Sequence, residues 1–93
     1  MGHPKLAGAI MIAEEKGKIV IGGDPEGLRS LAMLLTWLAD ADLEAWPYLP
    51  SGGRAHLHIY PVHDISANST PAEILRLDAK GTGELPEDVG NVP

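Results

Sequence analysis

Residues 18–40 read KIVIGGDPEGLRSLAMLLTWLAD, and the fold turns on how they are read. Lys18-Ile19-Val20-Ile21 is a short β-branched run, Gly22-Gly23 breaks it, and Asp24-Pro25-Glu26 opens a helix. Asp24 is a strong N-cap, because its carboxylate accepts from the free N–H groups of the first turn. Pro25 costs nothing at the first helical position, and Glu26 suits the positive end of the helix dipole. Leu28, Leu31, Leu35 and Leu38 then recur every three or four residues, joined by Ala32, Leu34 and Ala39. That spacing predicts one apolar stripe on a helix ending near Ala41, with Arg29, Ser30, Thr36 and Asp40 off the stripe.

Upstream, residues 9–13 (AIMIA) form a second apolar run, separated from Lys18–Ile21 by Glu14-Glu15-Lys16-Gly17. Two such runs around a short polar segment predict a hairpin, with Gly17 supplying the positive φ of its turn. Ile10, Ile12, Ile19 and Ile21 are assigned to its core side. Residues 1–8 hold Gly and Pro without periodicity and read as a flexible lead-in.

Downstream, residues 46–55 (WPYLPSGGRA) are a loop in which Trp46, Tyr48 and Leu49 either cover an end of the core or form a recognition surface. His56-Leu57-His58-Ile59-Tyr60 alternates with period two, the pattern of a half-buried strand with Leu57 and Ile59 inward. Pro61 ends it. Residues 61–72 are polar loop, and Ala72–Asp78 reads as a last strand with Leu75 and Leu77 inward and Ile74 and Arg76 outward. Residues 79–93 carry few large apolar groups and read as a mobile tail.

The expected architecture is one α+β domain over residues 9–78. Its two layers are a four-stranded, mostly antiparallel sheet (β-β-α-β-β) and one amphipathic helix packed on it. The opposite sheet face would carry Met11, Val20, His56, His58, Tyr60, Ile74 and Arg76, and a second copy of the chain or another protein could cover it.

Composition bounds the function. The chain has 93 residues, 13 acids against 7 bases, a net charge of −6, no cysteine and no phenylalanine. An anionic protein has no cationic surplus to displace phosphate counterions, so nucleic acid is not an expected partner. A basic protein is compatible. Without cysteine there is neither disulfide nor thiolate chemistry, and the expected location is the cytoplasm, off the membrane.

Catalytic motifs are weak. His56 and His58 share a strand face, but Pro61 redirects the chain before His63 and Asp64, so no metal or other cofactor is expected. Asp24 would repel an anion from the helix N-terminus. The carboxylates form no spaced pair in an evident pocket, which argues against an enzyme. The expected partner-binding residues are Asp40, Asp42, Glu44, Trp46 and Tyr48 near the helix end, with His56, His58 and Tyr60 on the sheet face. Hot spots favour aromatics and well-placed charges.

The run Ile19–Ala32 (IVIGGDPEGLRSLA), continued by Leu35, Leu38 and Ala39, precedes His56-Leu57-His58 and then Ser69 with Glu73-Ile74-Leu75-Arg76-Leu77. In this order the segments resemble the immunity protein 32 family of bacterial polymorphic toxin systems, over residues 18–78. The loop at 46–55 and the spacing between Tyr60 and Glu73 are longer than that family's pattern. The resemblance implies neutralisation of a cognate toxin by stoichiometric binding, and it carries over no catalytic residues. An acidic inhibitor would associate quickly with the basic cleft of a nuclease toxin. The alternative expectation is a small accessory domain that self-associates through its exposed sheet face.

Overall fold

The computed structural model describes residues 3–87. Strands β1 (Ile10–Glu15) and β2 (Lys18–Gly23) form the expected antiparallel hairpin. Its two-residue turn, Lys16-Gly17, has φ of 50° and 80°, the left-handed pair that matches strand twist. Helix α1 (Pro25–Asp40) follows, capped by Asp24, whose carboxylate accepts from the Gly27 N–H at 2.7 Å. A 3-10 turn at Leu43–Ala45 follows it, and then strands β3 (His56–Ile59) and β4 (Ala72–Leu75) pair antiparallel. Among the described residues the class is α+β with one α-helix.

The four strands do not join into one sheet. They form two separate two-stranded sheets, β1-β2 and β3-β4. The second edge of β1 is met by irregular chain: Ser66 N–H donates to Ile10 C=O, Thr70 N–H donates to Ile12 C=O, and Ile12 N–H donates to Ser69 Oγ at 3.1 Å. A regular third strand fails here because Ser69 answers with its side chain and Pro71 has no N–H to give.

Two small cores result. Ile10, Ile12, Ile59 and Ile65 form one, with Leu6, Leu31, Ala72 and Ile74 packed around them. Leu38, Leu43 and Ala55 form the other, with Trp37, Trp46, Leu49, Leu57 and Ile74. Ile74 belongs to both, so the outward assignment of Ile74 is corrected. The β3-β4 register places Glu73 opposite His58 and Leu75 opposite His56, on the outer face. Glu73 has the same strand parity as Leu75. Turning Leu75 inward would have buried an unpaired carboxylate, and that cost sets the phase.

The helix is also rotated from the expected stripe. Gly27, Ser30, Leu34 and Leu38 are its buried residues, with Leu31 and Trp37 half-buried. Leu28 and Leu35 are 47% and 44% exposed, and Ile19 and Ile21 on β2 are 59% and 55% exposed. The cause lies in the first turns, where residues 7–9 cross the helix. Ser30 Oγ accepts from the Ala7 N–H at 3.0 Å and lies within 2.9 Å of the Ala7 C=O and 2.8 Å of the Gly27 C=O as donor. The lead-in is thus bonded to the helix over residues 7–9; residues 1–2 lie outside the described chain.

This crossing requires Gly27. A β-carbon there would sit 2.1 Å from the Ala9 carbonyl oxygen. Gly27→Ala should therefore destabilise the protein by about 3 kcal/mol, the upper end of overpacking costs. The gain in helix propensity, about 1 kcal/mol, is smaller because backbone, not a flexible side chain, occupies the space. Urea denaturation of the two proteins measures the difference.

Candidate functional site

The residues expected at the helix end share a short segment but not a role. Asp40, Asp42, Glu44 and Tyr48 are exposed, and Tyr48 is 98% exposed. Asp42 caps the 3-10 turn through the Glu44 N–H at 3.1 Å. Trp46 is half-buried in the second core, its ring 5.7 Å from that of Trp37. It anchors the loop from beneath, leaving Tyr48 and the three acids as the accessible groups.

That loop is held by cations from distant sequence. Arg76 donates through Nη1 to the Leu38 and Ala41 carbonyls at 3.1 and 2.7 Å, and through Nε and Nη2 to both carboxylate oxygens of Asp78 at 2.9 and 2.6 Å. Lys80 Nζ donates to the Trp46 and Leu49 carbonyls, both at 2.7 Å. Arg54 Nε donates to the Leu77 carbonyl at 2.7 Å, and Arg54 Nη2 to the Glu84 carbonyl at 3.2 Å. Helix α1 has no basic residue in its last turn. Arg76 supplies from beyond β4 the positive charge that its C-terminus needs. The outward assignment of Arg76 is corrected on this ground. Residues 79–84, expected within a tail, are likewise bonded: Lys80 N–H donates to Gly53 C=O, and Gly52 N–H to Lys80 C=O. Residues 88–93 of that segment lie outside the described chain.

The histidine face assembles as the alternation implies. His56, His58 and Tyr60 are exposed, with His56 and His58 ring centroids 5.1 Å apart and Tyr60 stacked on His58 at 5.8 Å. The structure adds Glu73, whose Oε2 lies 3.9 Å from His58 Nε2. Sequence reading missed Glu73 because only the strand register reveals a cross-strand neighbour. His63 is exposed, and Asp64 accepts the Tyr60 N–H at 2.8 Å, so this carboxylate is committed to a turn. The helix N-terminus is filled by Asp24, whose Oδ1 also accepts from the Ala9 N–H at 3.1 Å.

Two carboxyl groups are held below their ordinary range. The Arg76 guanidinium does this to Asp78, and the N–H groups of Gly27 and then Ala9 do it to Asp24. Arg76 is correspondingly pushed up by its bonds to Asp78.

No family model, curated protein or solved structure matches the chain. Among the described residues, no helix is long and apolar enough to cross a membrane.

Arg76→Ala should cost about 2–3 kcal/mol, because it strips charge-assisted bonds from two helix carbonyls and leaves Asp78 unpaired. Arg76→Lys should recover only part of this, since an ammonium cannot span Asp78 in the two-pronged fashion. The pH dependence has a fixed sign. Asp78 and Asp24 bind fewer protons folded than unfolded. Their contribution is complete above the ordinary value of 3.8 and is lost as pH falls through their lower folded values. Urea midpoints from about pH 6 down to about pH 2.5 should show this loss, with a shallower decline in Asp78→Asn.

Proposed function

We propose that the chain is a non-enzymatic binding protein of the immunity type, which acts in the cytoplasm of the producing cell and neutralises a basic toxin by stoichiometric association. One observation carries the reading. A fully exposed tyrosine, Tyr48, stands on a loop fixed from below by Trp46 and Lys80, in a segment that also exposes Asp40, Asp42 and Glu44. An exposed aromatic on a tethered loop, flanked by like charges, offers area for a partner to bury and draws a basic surface toward it. The net charge of −6 supports the same partner. The likeness of residues 18–78 to the immunity protein 32 family supplies the partner's class.

The test is to look for a toxin domain encoded beside this gene and to co-express it with the chain, followed by calorimetric titration. Protection from toxicity and one-to-one binding are expected. Tyr48→Ala should weaken binding by about 2 kcal/mol. Asp40→Asn with Asp42→Asn should slow association and reduce its salt dependence while leaving dissociation nearly unchanged. A toxin that neither binds nor is silenced would sink the proposal.

A second reading, a small self-associating accessory domain, is favoured by a different surface. The β1-β2 register puts Ile19 and Ile21 on the face of the hairpin that carries Ile10 and Ile12, yet both remain exposed. Leu28 and Leu35 are exposed on the helix, and Ala32 and Ala39 complete a 4-3-4 spacing with them. Two copies could bury such a seam. Light scattering distinguishes the readings: on the self-association reading the wild type is a dimer at micromolar concentration and Leu28→Glu with Leu35→Glu is a monomer.

A further inference from the structure

The outer face of the β3-β4 hairpin carries a set of metal-ligand side chains that one-dimensional spacing conceals. We propose that His56, His58 and Glu73 bind one divalent transition-metal ion, zinc being the ion that this donor set fits. Each residue offers a ligand atom within 4.8 Å of the other two, and all three side chains are exposed. Ligands about 2.1 Å from a tetrahedral ion lie about 3.4 Å apart, so closure needs shifts of roughly an ångström. Rotation of exposed side chains supplies that without moving the backbone.

Three features prepare the site. The i, i+2 spacing on β3 projects both imidazoles from one face, and the antiparallel register sets Glu73 directly opposite His58. His56 Nδ1 lies 3.3 Å from the Arg54 carbonyl. A carbonyl only accepts, so this contact places the proton on Nδ1 and leaves the Nε2 lone pair outward, the arrangement by which backbone carbonyls orient ligand histidines. Tyr60, stacked on His58, restricts that ring. Two imidazoles and a carboxylate suit a borderline ion, and solvent completes the coordination because the face is open. A bound ion would join β3 to β4 across their ladder. It would thus brace a sheet only four residues long on each strand, a length that is marginal alone. The site does not depend on the partner-binding reading: it uses none of Asp40, Asp42, Glu44 or Tyr48, and His56 and His58, though also expected to meet a partner, enter it through donor geometry alone.

Calorimetric titration of the full chain with zinc chloride, in a non-chelating buffer near pH 7.5, tests the site. One ion per chain is expected, with a rise in melting temperature that follows occupancy. Loss of a mere orienting contact weakens metal sites by about tenfold or more, so His58→Ala and Glu73→Gln should each weaken binding at least that much. A variant with His3→Ala and His63→Ala, the other two histidines, should bind as the wild type does. Histidine ring resonances of the wild type give a readout that needs no variant: zinc should shift those of His56 and His58 and leave His3 and His63 in place. Absence of saturable binding, binding that survives loss of His56 and His58, or ring shifts confined to His3 and His63 would each overturn the proposal.

Discussion

Arg76 joins the region just after β4 to the C-terminal end of helix α1. The two hairpins share no ladder, and the helix ends with its last carbonyls turned away from any basic residue of its own. The guanidinium reaches the Leu38 and Ala41 carbonyls while Asp78 grips its other edge. One planar cation thereby fixes the end of β4 against the end of α1. Its neighbours extend the same device: Lys80 and Arg54 also spend their charge on carbonyl groups of loops that regular structure does not satisfy. A chain with two small apolar cores and no disulfide gains much of its definition from these contacts, because each leaves fewer buried acceptors without a donor.

What was legible in the sequence follows from how local each signal is. Asp24-Pro25 marked the helix start, Gly17 the hairpin turn, and the His-Leu-His alternation the strand, since in each the residue acts on its own backbone or nearest neighbours. The phase of the helix was not legible. Leucines occupy both its buried and its exposed faces, and the choice between them is made by residues 7–9 crossing at Gly27 and Ser30, a contact between segments some twenty residues apart. The phase of β4 could have been read: Glu73 alternates with Leu75, and a carboxylate resists burial more strongly than a leucine resists water. The break between the sheets needed the observation that Ser66, Ser69 and Thr70 are the residues that bond to β1.

The candidate surface was legible in its residue types and less so in its membership. Asp40, Asp42, Glu44, Tyr48, His56, His58 and Tyr60 are exposed as expected, but Trp46 is drawn beneath the loop by Trp37, because an indole of that size contributes more when packed than when hydrated. The exposed apolar residues are a departure, whereas Trp46 takes the core-covering one of its two expected places. Pattern alone places Ile19, Ile21, Leu28 and Leu35 inward, and their exposure reflects a supply problem: one helix of this length offers a single buried stripe, and residues 7–9 already occupy its N-terminal part.

The histidine face shows how strand register gathers side chains that the sequence keeps apart. In sequence, the next donors after His58 are His63 and Asp64, and Pro61 turns the chain away from them. In the fold the third donor comes from a strand that returns fifteen residues later, and the antiparallel register sets it opposite. The same carboxylate that fixes the phase of β4 by refusing burial is therefore the group placed beside two imidazoles. The constraint that keeps Ile74 in both cores also holds Glu73 on the outside, so the hairpin cannot lose one arrangement without losing the other.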